Sequence, residues 1–286
     1  MRVYIFKPKI YPIFTYRTAE FILNELIKGK KEIYVSLDLG KTISILRVEN
    51  NKLRFENYEC DIEEIKEIHA RSDETEIYAW INDSFFPLKF FKNKFYKLRN
   101  VEEGAPTLEI NGIHMHRIKE TNPWEDARQK VEALNITKKD RVLDIGTGLG
   151  YTAINAYEKN PAKIITIEKE LEVLKIAEFN PWSKELQKIT IVLGDAFKIL
   201  DELEKEYFNK VIHDPPTFSV SEELYSFEFY KKLYNLLPKK ALIYHYLGYP
   251  SEISGLKKIR GNVLSRLKRV GFVILREVNY GFLMKK

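Results

Sequence analysis

The sequence predicts an α/β protein with a small β-rich N-terminal region and a larger region built on a parallel sheet. Its 286 residues are roughly twice the commonest domain length of about 100–150 residues. Short strand-like runs fill the first 110 residues, whereas apolar strands alternate with amphipathic helices from residue 140 onward. We therefore expect an accessory domain over residues 1–110 and a second, larger domain over residues 111–286.

The N-terminal pattern predicts two helices and several strands. Residues 18–29 have apolar positions at helical spacing, with Thr18 as the expected cap and Gly29 as the stop. Turn residues and a short acidic helix around 61–69 separate the predicted strands. These strands are 32–38, 42–48, 52–58, 76–81, 85–91 and 95–99. A hairpin turn is expected at Asn111-Gly112, and Asn122 followed by Pro123 predicts a helix start.

The second region predicts strands at regular intervals. They are RVLDIG (141–146), KIITIEK (163–169), KITIVLGD (188–195), KVIHD (210–214) and ALIYHYL (241–247), and a final pair, VGFVILREV and YGFLMKK, follows. Because the helical segments between them are amphipathic, we expect a parallel sheet with crossover helices that flank it.

Composition limits the class of protein. Hydrophobic residues make up 44% and charged residues 31% of the chain, which is typical of a globular core. No apolar run reaches 18 residues, the first residues lack a signal-peptide pattern, and Cys60 is the one cysteine. The single cysteine excludes an internal disulfide and a multi-thiolate metal site, and a cytoplasmic location without a membrane partner is expected.

Positive charge is concentrated in the second region. The net charge is +6, of which residues 121–286 carry +5, and residues 251–286 hold nine basic and two acidic residues. This distribution favours a polyanionic partner, although a solvated helix face with a lysine tail gives the same counts.

A glycine-rich turn carries the strongest chemical signal. The segment VLDIGTGLGYTA (142–153) has an apolar strand ending at Asp144, then Gly146, Gly148 and Gly150, and a helix from about Tyr151. Glycines let a nucleotide-like ligand approach the backbone closely. A dinucleotide site is the competing interpretation.

Three further strand ends decide against a dinucleotide site. Glu168 ends the next strand, where it can accept from both ribose hydroxyls, and Asp195-Ala196 follows the third, where an adenine edge can be bound. Asp214-Pro215-Pro216 follows the fourth strand. Open α/β sheets bind ligands at these carboxyl ends.

Together these motifs, over about 140–247, resemble the Rossmann-like class of S-adenosylmethionine-dependent methyltransferases. The resemblance implies a sheet of about seven strands, with S-adenosylmethionine (SAM) bound across it and S-adenosylhomocysteine as the product. The cofactor residues that it implies are Asp144, Gly146, Thr147, Gly148, Gly150, Tyr151, Thr152, Glu168, Lys169, Asp195, Ala196 and His213.

The segment HDPPTF (213–218) resembles the motif with which amino-methyltransferases bind an exocyclic base amine. The resemblance implies catalytic roles for Asp214, Pro215, Pro216 and Phe218, with an aromatic ring stacked on an extruded base. In this sequence the aromatic residue comes one position later than in the family's motif, so Tyr225 is an alternative to Phe218 for the stacking role. A carbon-5 cytosine mechanism needs a nucleophilic cysteine, which the distant Cys60 does not provide.

The longer run from Ile212 to Gly248 resembles an archaeal family of predicted methyltransferases with an HDPPxFS core. We expect an RNA N-methyltransferase, with cytidine N4 in ribosomal RNA ahead of guanosine N2 in transfer RNA. A spermidine-synthase-like aminopropyltransferase is the enzymatic alternative, and a non-catalytic binding module is a third. The basic catalytic half favours RNA over a polyamine.

Substrate contacts are expected from residues around the predicted active-site mouth and from the basic C-terminal segment. They are His116, Arg117, Tyr225, His245, Lys257, Lys258 and Arg260. The five histidines lack a metal-ligand spacing, so no metal is expected. Trp124, Glu125 and Asp126 either cover the cofactor pocket or simply begin a helix. The sequence leaves the oligomeric state open.

Overall fold

The structure is a computed structural model that describes residues 1–102, 104–216, 218, 221–248 and 254–286, the last range with side chains from residue 259 onward. The chain divides into two compact units. The large-sheet unit comprises Met1–Phe6, Trp124–Leu174 and Glu185–Lys286, and the N-terminal unit comprises Lys7–Pro123 and Lys175–Lys184. The predicted domain boundary after residue 110 stays a prediction.

The first strand, β1 (Arg2–Tyr4), belongs to the large-sheet unit, and the next elements form the N-terminal unit. These are β2 (Ile13–Thr15), α1 (Tyr16–Ile27), β3 (Glu32–Val35), β4 (Ser44–Glu49), β5 (Lys52–Phe55), β6 (Tyr58–Asp61), α2 (Ile62–Ala70), β7 (Ile77–Ile81), β8 (Ser84–Pro87), β9 (Lys89–Lys92), β10 (Lys94–Arg99), β11 (Thr107–Ile110) and β12 (Ile113–His114). They make three antiparallel sheets, ordered β3-β4-β5-β6, β2-β7-β8 and β12-β11-β10-β9.

The N-terminal unit follows the predicted pattern in outline, and it adds the unpredicted strand β2. Thr15, and not Thr18, caps α1, because its hydroxyl accepts a hydrogen bond from the Thr18 N–H. The predicted strands 52–58 and 85–91 are each two strands, because the chain turns between β5 and β6 and breaks between β8 and β9. Phe14, Ile22, Leu46 and Trp80 are fully buried in the core of this unit.

The chain then continues into the large-sheet unit. The remaining elements, in chain order, are α3 (Pro123–Glu132), β13 (Arg141–Ile145), α4 (Tyr151–Tyr157), β14 (Lys163–Glu168), α5 (Leu171–Ala177), a 3₁₀ helix (Pro181–Lys188), β15 (Thr190–Leu193), α6 (Ala196–Ile199), β16 (Lys210–His213), a second 3₁₀ helix (Glu222–Tyr225), α7 (Phe227–Leu236), β17 (Leu242–Tyr246), α8 (Ser254–Val270), β18 (Val273–Val278) and β19 (Gly281–Lys285). The end of α5 and the start of the first 3₁₀ helix fall within Lys175–Lys184, which belongs to the N-terminal unit.

The large sheet has the order β1-β15-β14-β13-β16-β17-β19-β18. Strands β13 to β17 are parallel, and β19 is antiparallel to both β17 and β18. The predicted α/β fold with about seven strands is confirmed, and β1 adds an eighth strand, antiparallel to β15, that the sequence did not predict. Because strand order reverses between β13 and β16, the ligand crevice of such a sheet is expected there.

Candidate active site

The glycine turn joins β13 to α4 in a left-handed backbone conformation. The φ angles of Gly146, Gly148 and Gly150 are 96°, 53° and 83°, a region that side chains disfavour. The N–H groups of Gly146 and Thr147 both donate to the Ile167 carbonyl at 3.1 Å. The turn is therefore fastened to the neighbouring strand β14.

Two of these glycines are required by the protein itself. A Cβ on Gly146 would lie 2.9 Å from the Asp214 carbonyl oxygen, and one on Gly150 would lie 2.5 Å from the Leu186 side chain. From sequence, all three glycines are predicted to allow close approach of a ligand. The structure adds that Gly146 lets the backbone of the Asp214 motif pack directly against the turn.

Asp144 lies fully buried beneath the turn, in a network of hydroxyl groups. Its Oδ1 accepts from Thr152 at 2.9 Å and its Oδ2 from Thr166 at 2.6 Å, while the Thr147 and Thr166 hydroxyls are 2.7 Å apart. Burial raises the pKa of Asp144 to about 7, against the two hydrogen bonds, which lower it. These contacts give Asp144, Thr147 and Thr152 a supporting role, and their predicted contact with the cofactor stays a prediction.

Glu168 ends β14 and faces the turn. Its Oε2 accepts from the Gly148 N–H and its Oε1 from the Glu170 N–H, both at 2.9 Å. Burial raises its pKa to about 7, although backbone hydrogen bonds favour the ionised form. A carboxylate anchored in this way can accept hydrogen bonds from two neighbouring hydroxyl groups.

Asp195 and Ala196 follow the third strand. The Asp195 carboxylate caps α6 by accepting from the Phe197 N–H at 2.9 Å, and Ala196 is the first residue of that helix. Lys169 Nζ lies 3.1 Å from both Asp195 and Glu223. Lys169 thus links two acidic side chains, and its predicted contact with the cofactor is untested.

The Asp214 motif lies at the end of β16. Its N–H donates to the Ile145 carbonyl at 3.3 Å, which joins the motif to β13. Pro215 and Pro216 follow, and the Tyr225 hydroxyl donates to the Pro216 carbonyl at 2.8 Å. Phe218 lies with its ring centroid 5.5 Å from that of Tyr225. Tyr225 is buried and Phe218 is half-buried, and stacking on a substrate base stays a prediction for both rings.

A buried cation meets this motif, and sequence reasoning missed it. Lys130 on α3 is 3% exposed, and its Nζ lies 2.7 Å from Asp214 Oδ2 and 2.8 Å from Asp126 Oδ2. The same Nζ lies 4.0 Å from the centre of the Tyr246 ring. We call Asp126, Lys130 and Asp214 the acceptor cluster. The two neighbouring carboxylates raise the pKa of Lys130 against burial, which lowers it, so the amine stays protonated.

Of the two interpretations of residues 124–126, the structure shows the helix start, since they form the first turn of α3. Trp124 packs edge-on against the buried Tyr151 ring at 5.8 Å. Asn279 Nδ2 donates to Asp126 Oδ1 at 3.1 Å, which fixes the side chain beside Lys130.

His213 and His245 end adjacent strands but are fully buried. His213 Nε2 donates to the Leu224 carbonyl at 3.0 Å, so its Nδ1 is unprotonated, and within the described ranges no group donates to that atom. His245 Nδ1 donates to the His213 carbonyl at 3.1 Å, and its Nε2 accepts from Tyr230 at 2.9 Å. Burial lowers the pKa of His213 to about 4 and that of His245 still more clearly. This favours packing over the predicted ligand contacts.

The structure describes some of the other residues that were predicted to contact substrate. Arg260 was expected to contact phosphate, but its guanidinium donates to the Gly248 and Tyr280 carbonyls at 3.2 Å and pairs with Glu277. The side chains of Lys257 and Lys258 lie outside the described residues. His116 and Arg117 belong to the N-terminal unit, where His116 Nδ1 lies 3.0 Å from the Thr107 hydroxyl.

The groups at this edge of the sheet suit SAM. Gly146–Gly150, Glu168 and Asp195 lie at the carboxyl ends of three adjacent strands, which together offer a close backbone approach, a diol acceptor and an acceptor for an amino group. Asp214 adjoins the same turn. This fold and site define a SAM-dependent class I methyltransferase.

A family model described as a methyltransferase domain matches residues 136–279, and the chain belongs to this methyltransferase family. The uncharacterized protein MJ1233 of Methanocaldococcus jannaschii is 40% identical over 270 residues, covering 92% of this chain and 91% of that protein. The putative ribosomal RNA large subunit methyltransferase MJ1649 of the same organism is 30% identical over 138 residues, 46% of this chain and 34% of that protein.

Among solved structures, spermidine synthase from Thermotoga maritima superposes with a TM-score of 0.54 at 16% identity, covering 71% of this chain and 76% of that one. This likeness concerns the fold. Within the described ranges no helix is long and apolar enough to cross a membrane. Those ranges also contain no group of three or more His, Cys, Asp or Glu side chains that could bind a metal ion. Cys60 is buried in the N-terminal unit, where burial raises its thiol pKa to about 12.

Proposed function

We propose that the protein methylates an exocyclic amine nitrogen of a base in RNA. Cytidine N4 in ribosomal RNA is the first candidate and guanosine N2 in transfer RNA the second. The observation that carries the proposal is the packing of Asp214-Pro215-Pro216 against Gly146 at the point where strand order reverses. An amine bound by this motif would lie beside the turn that binds the cofactor.

The motif offers two hydrogen-bond acceptors to an amine. Asp214 Oδ2 is bound by Lys130, and no hydrogen bond from the described residues reaches Oδ1. Asp214 Oδ1 and the Pro215 carbonyl are therefore proposed to accept the two amine hydrogens. Two acceptors fix the direction of the nitrogen lone pair, and positioning of this kind supplies most of the rate when the methyl group is already activated.

The cofactor supplies a methyl group on a positively charged sulfur, which leaves as a neutral thioether. The protein needs to orient the nitrogen, exclude water and accept a proton. Prolines suit the motif because they fix φ and have no N–H to compete for an acceptor. Phe218 is proposed to stack on the base, with the Tyr225 hydroxyl fixing the Pro216 carbonyl beside it.

An RNA substrate is supported by the name of the relative MJ1649 and by charge. Residues 121–286 carry a net charge of +5, which favours a polyanion over a polycationic acceptor such as spermidine. Lys257, Lys258, His116 and Arg117 are proposed as contacts that place the RNA, since phosphate contacts position a substrate while the pocket specifies the base.

Nucleoside mass spectrometry of RNA tests the proposal. Ribosomal and transfer RNA from cells with and without the gene are digested separately, and we expect one methylated nucleoside to be lost from one fraction. Complementation with the wild-type gene should restore it, and complementation with Asp214→Ala should not. Unchanged nucleosides in both fractions would remove RNA methylation as the function.

A second assay separates methyl from aminopropyl transfer. The purified protein is incubated with SAM or with its decarboxylated form, and with unmodified RNA or spermidine as acceptor. We expect product only from SAM with RNA. Aminopropylation of spermidine would replace the proposal with the polyamine alternative.

A further inference from the structure

Lys130 makes a set of contacts that leaves little freedom to its ammonium group. Its three N–H groups have three acceptors nearby, Asp126 Oδ2 at 2.8 Å, Asp214 Oδ2 at 2.7 Å and the face of the Tyr246 ring at 4.0 Å. A lysine that is 3% exposed with all its donors engaged is not available to bind substrate. Its contacts act on Asp214 instead.

The motif has an aspartate where an asparagine could offer the same acceptor oxygen without charge. A buried carboxylate without a cation tends to take up a proton, and a protonated Asp214 would present a donor to the amine. Lys130 binds one carboxylate oxygen, Oδ2, and no hydrogen bond from the described residues reaches the other, Oδ1, which is the oxygen proposed to accept from the substrate amine.

We infer that Lys130 is a positioning residue for methyl transfer, which keeps Asp214 ionised and turned so that Oδ1 accepts from the amine, and that Asp126 in turn positions Lys130. This inference rests on the proposed function and adds to it the reason why an aspartate works in the motif. The cluster carries a net charge of −1, which suits a substrate amine that donates hydrogen bonds to it.

The surroundings agree with this role. Burial raises the pKa of Asp214, and Lys130 opposes that rise. Among the described residues, the titratable groups that act most strongly on Asp214 or Lys130 include Asp126 on the same helix, Asp144 on β13, Tyr225 on the second 3₁₀ helix, and Tyr244 and Tyr246 on β17. These five groups are acids, so none of them can supply positive charge to Asp214 in place of Lys130.

A set of variants tests the inference by rescue. In Asp214→Asn, Lys130 should attract the amide oxygen, so that the amide NH₂ faces the substrate amine and activity falls. In the double variant Lys130→Met/Asp214→Asn the amide can turn its oxygen to the substrate. We therefore expect the double variant to be at least about tenfold more active than either single variant. A lysine that only stabilises the fold would make the double variant the worst of the three.

The pH profile gives a second readout. The variant Lys130→Met/Asp126→Asn keeps the net charge of the cluster at −1 but removes the cation. Its acid limb of kcat/KM is expected to move up by about 1–3 pH units relative to wild type. SAM affinity by calorimetry reports whether each variant is folded, and Lys232→Met is the matched control, since Lys232 also pairs with an aspartate, Asp201, and covers a ring.

A titration without substrate separates this inference from the proposed function. The ¹³C carboxyl signal of Asp214, assigned by its loss in Asp214→Asn, should titrate at a higher pH in Lys130→Met/Asp126→Asn than in wild type. If wild type methylates no RNA but the signal moves, the proposed function fails and the electrostatic role of Lys130 stands. An unmoved signal, or wild-type rates and pH limbs in the lysine variants, would overturn the inference.

Discussion

Two regions of the candidate site treat their buried carboxylates differently. Asp144 and Glu168, the cofactor-side pair, receive hydrogen bonds from hydroxyl and backbone N–H groups, and burial raises both pKa values to about 7. Asp214 in the acceptor cluster has instead an ammonium group at 2.7 Å. SAM carries positive charge into its own region, whereas a neutral amine brings none. In the proposed reaction, the protein therefore supplies a cation where the substrate amine brings none.

The largest expected effect comes from breaking the acceptor cluster. Asp214→Ala removes the proposed acceptor for the amine, and methylation is expected to fall by roughly 10²-fold or more, the scale on which lost positioning acts. SAM affinity should change by less than about threefold, because the cofactor-side pair is intact. Radiolabelled methyl transfer and calorimetry measure the two quantities.

The matched control for this prediction is Asp201→Ala, which removes an exposed aspartate of the same unit. It should leave both quantities at the wild-type level. If Asp214→Ala lost SAM affinity as strongly as it lost methylation, Asp214 would act on cofactor binding as well. The two regions would then not be functionally separate.

The cofactor-side pair predicts a pH dependence of SAM binding. Glu168 is expected to accept from the ribose hydroxyls as a carboxylate, and its pKa in the free protein is about 7. Acidification through that value removes the binding-competent form, so SAM affinity should fall roughly tenfold between pH 8 and pH 6. Calorimetry in buffers of constant ionic strength measures this.

Two variants decide whether Glu168 is the group responsible. Glu168→Gln should bind SAM more weakly at pH 8 and lose the pH dependence. Asp144→Asn should keep it, because Asp144 is bound by hydroxyl groups beneath the turn. A slope that persists in Glu168→Gln would assign the titration to another residue.

Gly146 lies between the two regions, and its replacement should disturb both. In Gly146→Ala the new Cβ would lie 2.9 Å from the Asp214 carbonyl oxygen at a φ of 96°. Strain of this kind costs about 1–3 kcal/mol, and each kcal/mol lowers the melting temperature by roughly 2–4 °C in a unit of this size. Thermal unfolding measures the loss, and SAM affinity should fall as well.

Gly261→Ala is the matched control for this change. Gly261 lies inside α8, with nothing within 4 Å of the position of a Cβ. Alanine should stabilise the helix there by about 0.4–1 kcal/mol. A melting temperature that rises in both variants would show that the turn is not packed against Asp214 as described.

The cofactor side was more predictable from sequence than the acceptor side. Each strand end after β13 is adjacent in sequence to its functional residue, so a local pattern was enough to find Gly146, Glu168 and Asp214. Lys130 was missed because its partner Asp214 is 84 residues away and an isolated lysine predicts an exposed side chain. Strand β1 was missed because its three residues, Arg2–Tyr4, of which two are exposed, carry little periodicity and pair with a strand that lies far away in sequence.

The smallest expected effect is on the melting temperature of Asp144→Asn, which measures the destabilisation caused by a buried carboxylate without a cation. In the folded protein Asp144 ionises near pH 7, whereas in the unfolded chain it ionises near its ordinary pKa. Between these two pKa values the folded protein therefore binds one more proton than the unfolded chain. Raising the pH through this window therefore lowers the free energy of unfolding. Asp144→Asn keeps the contacts to Thr152 and Thr166 without charge, and its melting temperature should exceed wild type by a few degrees at pH 8 and match it near pH 5.

Asp140→Asn should show the opposite sign. Hydrogen bonds from Thr137 and Asn209 hold the pKa of Asp140 below its ordinary value although burial raises it. Its ionised form therefore stabilises the fold, and that stabilisation is present at neutral pH and lost on acidification. The asparagine variant should melt lower than wild type at pH 8 and approach it in acid. If the melting temperature at pH 8 fell in both variants, the hydrogen bonds to Asp144 would compensate fully for its burial. The difference between Asp144 and Asp214 would then not depend on the cation beside Asp214.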